Sequence, residues 1–138
     1  MPRLLVVVDP NVLVSALRSR RGASFALLER IGGDVFDLAV SVPLVLEYED
    51  ALLRHRGGLR VSDVGDVLDY ICSIARHQRI FFLWRPLLRD PKDDMVAEVA
   101  VAADADAIVT HNRRDFVGVE RLGPKVWSPQ QMLARIGR

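Results

Sequence analysis

Hydrophobic residues along this chain come in two textures. One is the short continuous run: Leu4 to Val8, built of β-branched residues and leucine, which marks a strand buried on both faces. Asp37 to Val40, Ile80 to Trp84, Ala107 to Thr110 and Lys125 to Trp127 read as further short strands, the last at a sheet edge. The other texture is helical spacing. Val12, Leu13, Ala16 and Leu17 form one apolar stripe after Pro10, and Ala26, Leu27, Leu28 and Ile31 form a second that ends at Gly32. Pro43 opens a helix to about Arg54. A Ser62 cap precedes a stripe of Val64, Leu68, Ile71, Cys72 and Ala75. Asp93 to Ala103 buries Val96, Ala97, Val99 and Ala100, and Ser128-Pro129 caps a last helix through Met132, Leu133 and Ile136.

Strands alternating with helices predict an α/β fold of βαβ units: a parallel sheet with helices on both faces. No repeat, linker or low-complexity tract interrupts the 138 residues, so residues 1–138 read as a single domain. Half of the residues are hydrophobic and 27% are charged, which excludes intrinsic disorder. No apolar stretch is long enough to span a membrane, and the run after Met1 stops at Asp9, too short for a secretory signal. The single cysteine, Cys72, excludes an internal disulfide and a cysteine-based zinc cluster. A cytoplasmic chain is the expectation.

Charge narrows the partners. Nineteen basic and 18 acidic residues leave a net +1, too little to grip long duplex DNA by bulk electrostatics. All the basic residues but Lys92 and Lys125 are arginines, whose planar forks suit phosphate.

Ligands of such sheets bind beyond the carboxyl ends of the strands, so the polar residues just after strands are the candidates. Asp9 ends the first run and precedes a helix, with Asn11 two residues on; a helix cap is the plain alternative role. Ser41 follows the second strand, and on the helix behind it Glu47 lies at the border of the apolar stripe, slightly favoured over Glu49. Asp90, Asp93 and Asp94 crowd the start of another helix, one acid more than capping requires. Thr110, Asn112 and Asp115 follow the strand beginning at Ala107. Carboxylates gathered at one edge repel unless a cation intervenes. Oxygen ligands without cysteine or a histidine pair point to Mg²⁺ or Mn²⁺, and hence to phosphate chemistry.

These residues sit in stretches that resemble the PIN-domain family of metal-dependent ribonucleases, which includes VapC-like toxins of toxin–antitoxin pairs. The stretches are VVVDPNVLVSAL, SVPLVLEYEDAL, RDPKDDMVAEVAVAADADAIVTHNRRDF and the closing KVWSPQQML. The resemblance implies a three-layer α/β/α sandwich with a central, mostly parallel sheet of about five strands. It implies catalytic acids at Asp9, Glu47 and Asp94, with Asp93 the near alternative, holding one or two Mg²⁺ or Mn²⁺ ions. Asn112 stands where many members have a fourth acid, a place Asp115 could fill, and Pro10 stands where most carry Thr or Ser. Asn11, Ser41 and Thr110 would support the site. Arg18, Arg20, Arg21, Arg113 and Arg114 would meet the backbone of a single-stranded RNA. An antitoxin protein and a homodimer are the implied partners, with Phe25, Phe81, Phe82, Trp84 and Trp127 as candidate contacts.

Two rival readings remain open. A phosphatase of the haloacid dehalogenase type also begins with a strand ending in Asp, but it needs a second Asp where Asn11 stands. A non-catalytic module of the same fold, binding RNA or a protein, is favoured by Asn112 and Pro10.

Overall fold

The computed structural model describes residues 3–80, 88 and 90–137. Strand β1 (Leu4–Val8) is the axis of the molecule, with Val6, Val7 and Val8 buried in the core. It is followed by α1 (Pro10–Arg18), α2 (Ala23–Glu29), β2 (Phe36–Val40), α3 (Val42–Arg54), α4 (Val61–Ile74) and β3 (Arg76–His77). The chain continues through α5 (Pro91–Ala102), β4 (Ala107–Val109), two short 3-10 turns (Arg113–Phe116 and Val119–Leu122), β5 (Lys125–Trp127) and α6 (Pro129–Arg135). The strands form one parallel sheet in the order β3-β2-β1-β4-β5, with β1 paired to β2 and β4.

That order makes β1 the topological switch. The chain leaves β1 toward β2 and β3, then returns across the sheet to β4 and β5. Right-handed crossovers place the first connections over one face and the return helix α5 over the other, giving the expected α/β/α layering. The connections that leave β1 and β4 therefore run in opposite directions at the sheet's carboxyl edge, where open α/β sheets bind ligands, while the strands themselves stay paired to their ends. Asp9 and Thr110 stand there, each one residue beyond its strand.

Local signals explain most boundaries. The carboxylate of Asp9 caps α1, accepting from the backbone N–H of Asn11 at 3.4 Å, and Pro10 occupies the first turn. Ser41 caps α3 through its hydroxyl, which accepts from Leu44 N–H at 3.2 Å. Asp90 caps α5, and Ser128 and Gln131 form a reciprocal capping box at α6. Gly32 takes a left-handed φ of +86° just beyond α2; there a Cβ would stand 2.0 Å from the Tyr70 hydroxyl, which donates to Ile31 C=O.

Two expectations need correction. Helix α4 starts at Val61 with Arg60 as its cap, so Ser62 lies inside the helix. The reason is Asp63, whose carboxylate accepts from the Arg60 backbone N–H at 2.9 Å and pairs with its guanidinium. The third strand is Arg76–His77, two exposed residues without an apolar pattern. Ile80 belongs to no strand, and the expected strand residues Phe81 to Trp84 lie outside the described residues.

No helix among the described residues is long and apolar enough to cross a membrane. Phe25 and Trp127, candidate contacts if exposed and otherwise more simply core, are half-buried, and Arg135 stacks over the Trp127 ring at 4.9 Å. Phe81, Phe82 and Trp84 lie outside the described residues. The exposed large apolar residues are instead Val42 and Leu46 on α3, Val61 and Tyr70 on α4, and Val117 among others.

The buried Tyr48 ties α3 to β1: its hydroxyl donates to Val8 C=O at 2.5 Å. Tyr48→Phe leaves that buried carbonyl without this donor. It should cost about 1–3 kcal/mol of unfolding free energy, read from urea denaturation.

Candidate active site

A cavity of about 320 Å³ opens at the carboxyl edge of the sheet beside the end of β1. Asp9, Pro10, Asn11, Val14 and Arg18 line it from β1 and α1. Glu47, Ala51, Arg54 and His55 line it from α3 and its end. Asp90, Lys92 and Asp93 come from the start of α5, and Asn112 and Asp115 from the loop after β4. Five carboxylates from four segments of the chain thus face one space.

Asp9 is the innermost of them and only 6% exposed. Its Oδ2 accepts from the Thr110 hydroxyl at 2.7 Å, and its Oδ1 from Asn11 N–H. Thr110 Oγ1 in turn accepts from Asn112 N–H at 3.0 Å, so one hydroxyl fixes both the carboxylate and the loop after β4. His111 steadies the same loop from outside, its Nε2 lying 2.8 Å from the Ser24 hydroxyl of α2. Burial pushes the His111 pKa down. Burial also pushes the Asp9 pKa up; the two hydrogen bonds oppose this, and the charges of Asp115 and Asp90 add to it.

The two adjacent acids of α5 point to different places. Asp93 lines the cavity, and its pKa is pushed up to about 7 by burial and then by Asp9, Asp115, Asp90 and Asp94. Asp94 is buried outside the cavity lining, and its Oδ1 accepts from Leu88 N–H at 2.8 Å. Of the expected third acid and its near alternative, the alternative Asp93 lines the cavity and Asp94 does not. Successive helical side chains diverge by about 100°, so only one of the pair can face the cavity.

Glu47 reaches the cavity wall, where Lys92 Nζ lies 3.6 Å from its Oε2. Glu49 is exposed and outside the cavity lining. Ser41 is also corrected: it caps α3 and lines a separate depression with Val42, Pro43 and residues 77–80. Arg18 lines the cavity, whereas Arg20 and Arg21 are exposed beyond α1, away from its lining. Arg113 and Arg114 line an adjoining cavity with His111, and the two cavities share Asn112 and Asp115. Asp90, Lys92, Arg54 and His55 are lining residues that sequence reasoning did not select for the site. The Asp90-Pro91 signal was present but reads equally as a cap, which Asp90 also is.

The donor set suits a hard divalent cation. It consists of carboxylates and amides without thiols. Asn11, itself a lining residue, has its amide oxygen buried without a hydrogen-bond partner among the described residues. The raised Asp93 pKa reports burial first and the negative charges of Asp9, Asp115, Asp90 and Asp94 second, and a cation would relieve the second part. Among the described residues no three His, Cys, Asp or Glu side chains already stand grouped to hold one ion. The carboxylates thus share a cavity without forming a closed cage.

The repulsion has a measurable sign. Asp93 holds its proton up to about pH 7 in the folded chain but loses it from its ordinary 3.8 when unfolded. Its contribution to stability is thus full in acid and lost as pH rises through 7. Asp93→Asn removes the penalty. In chelator, the variant should gain about 1 kcal/mol at pH 8 after allowance for solvent screening, and less at pH 5. Thermal melts at the two pH values check it; an equal gain at both would refute the raised pKa of Asp93.

No curated protein sequence matches the chain. Among solved structures, a chain in VapBC2 from Rickettsia felis bound to a DNA fragment from their promoter is 16% identical. It superposes with a TM-score of 0.58 over 91% of this chain and 98% of its own. A chain in VapBC-1 from nontypeable Haemophilus influenzae is 13% identical, with a TM-score of 0.62 over 92% and 99%. At such identities these likenesses concern the fold. The family model of the PIN domain matches residues 5–114, a span that contains every acid lining the cavity except Asp115, which follows it directly. The chain belongs to the PIN-domain family.

Proposed function

We propose that the cavity is the active site of a metal-dependent endoribonuclease that hydrolyses phosphodiester bonds of single-stranded RNA. The observation that carries this reading is the set of five carboxylates lining one cavity at the switch point of a PIN-family sheet. Asp9, Glu47 and Asp93 are the proposed ligands of one or two Mg²⁺ or Mn²⁺ ions, with Asn112 and Asp115 beside them. A bound ion of this kind supplies a water of lowered pKa as nucleophile and neutralises charge growing on the phosphate.

The protein's own groups do the positioning. Thr110 holds the Asp9 carboxylate in one orientation and draws the Asn112 backbone toward it. Asn112 is neutral where many members carry an acid, so it adds a dipole rather than a charge. Arg18 lines the cavity and Arg113 and Arg114 the adjoining one; in this reading their forks meet phosphates on either side of the cut. Arg20 and Arg21 can contribute only outside the cavity.

The fold shared with chains of VapBC assemblies supports a further proposal. This chain is the toxin of a toxin–antitoxin pair, acts in the cytoplasm, and has an antitoxin partner that covers the acidic cavity. Homodimerisation belongs to the same proposal, and light scattering at micromolar concentration tests it; a monomer would refute it.

The decisive experiment is cleavage of a mixed-sequence single-stranded RNA with Mn²⁺, with chelator controls and three variants. Asp9→Asn and Asp93→Asn should each lower the rate on the order of 10²-fold or more. Asp94→Asn should leave ion binding intact and act through stability alone. RNA binding without cutting would favour the non-catalytic module, the reading that Asn112 in place of an acid supports.

Arginine roles separate by salt. Arg113→Ala should raise the KM for RNA severalfold at low salt and leave kcat unchanged, because a phosphate contact away from the reacting atoms binds ground and transition states alike. Initial rates across substrate and salt concentration measure it.

A further inference from the structure

Three cations, Arg18, Arg54 and Lys92, line the acidic cavity beside His55. Arg54 is engaged with Asp50, one turn away on α3, at 3.0 Å. Among the ion pairs of the described residues, only Lys92 with Glu47 joins a cation to a carboxylate of the cavity. The pair is asymmetric. The Glu47 side chain is 12% exposed, whereas that of Lys92 is 51% exposed. The backbone of Lys92 is fixed, its N–H donating to Asp90 Oδ1 at 3.0 Å, so the mobile part is the aliphatic stem and its ammonium.

The residue type matters. Lys92 is one of two lysines among 19 basic residues. An arginine would clamp a carboxylate with a two-point fork, whereas an ammonium is a compact point charge held by one contact. At 3.6 Å that contact is loose. A loose, half-exposed, single-point cation on a sheltered carboxylate is the kind of partner that another cation can replace.

We propose that Lys92 is the resident counter-ion of the cavity. Its ammonium occupies Glu47 until a divalent ion takes that carboxylate, so the strength of this pair sets the ion affinity of the site. The inference rests on the metal-binding reading above. The exchange is one of charge partners: the Lys92 side chain swings into solvent as the ion arrives. Glu47 is neutralised in both states, so the cavity avoids a further bare charge when no ion is present.

Isothermal calorimetry of Mn²⁺ binding to the full chain tests this without any RNA. Lys92→Met keeps the length of the side chain and removes the charge. It should tighten Mn²⁺ binding about threefold to fivefold, the yield of a partly exposed ion pair. Arg18→Met removes a cation from the same cavity wall and should change the affinity less than about twofold. In a Glu47→Gln background the gain from Lys92→Met should vanish. Unchanged or weaker binding by Lys92→Met, an equal gain from Arg18→Met, or a gain that survives Glu47→Gln would each overturn the proposal while leaving the metal site standing. If the wild type takes up no Mn²⁺, the metal-binding reading falls and this inference with it. Lys92→Gln serves as a second neutral variant, with far-UV circular dichroism confirming the fold of each.

Discussion

Everything at the carboxyl edge depends on one costly placement: a carboxylate at the end of the buried central strand. Val6, Val7 and Val8 have no freedom to shift, because parallel neighbours hold β1 on both sides. Asp9 follows directly and inherits that position. Two hydrogen bonds offset part of the desolvation, and the remaining excess appears as a raised pKa. Tyr48 completes the arrangement from the side of α3. Burial and the nearby Asp9 charge push its own pKa up, so its hydroxyl keeps the proton it donates to Val8.

The other acids extend this cost across the cavity. At Asp93 burial makes ionisation difficult, and the neighbouring carboxylates add to that difficulty. Such repulsion is a liability in the free chain and a source of affinity for any cation that relieves it. Binding to the folded chain alone stabilises the fold by mass action, so ion uptake and folding stability are two readings of the same electrostatic energy. Lys92 moderates that energy at one wall, through Glu47.

Much of the fold was legible because its signals are local. The run Leu4 to Val8, the caps at Ser41 and Ser128, and the prolines that open α1, α3, α5 and α6 are short-range features, and most element bounds agree with them within one or two residues. What escaped was set by tertiary context. Arg76–His77 is a strand because β2 offers it an edge, with no apolar alternation to announce it. Asp63 overrode Ser62 because an acid in the first helical turn reaches back to the chain before it. At the site, Asp9, Glu47, Asn112 and Asp115 line the cavity, as strand ends and helical phase suggested. The choice between Asp93 and Asp94 depended on the angular setting of α5, which a sequence of adjacent identical residues does not encode. Lys92 was invisible as a site residue, since its contact crosses from one helix to another.

The bond from Leu88 N–H to the Asp94 carboxylate has a consequence for how the cavity assembles. It closes a small ring in the chain, and Asp90, Lys92 and Asp93 all lie inside that ring. Three groups that line the cavity are thus carried on the cap and first turn of α5, within a stretch closed by one hydrogen bond. Closing so short a stretch costs little chain entropy. An insertion or deletion inside the ring would displace an acid, a counter-charge and a helix cap together. Length in this short segment is therefore as much a part of the site as the identity of its side chains.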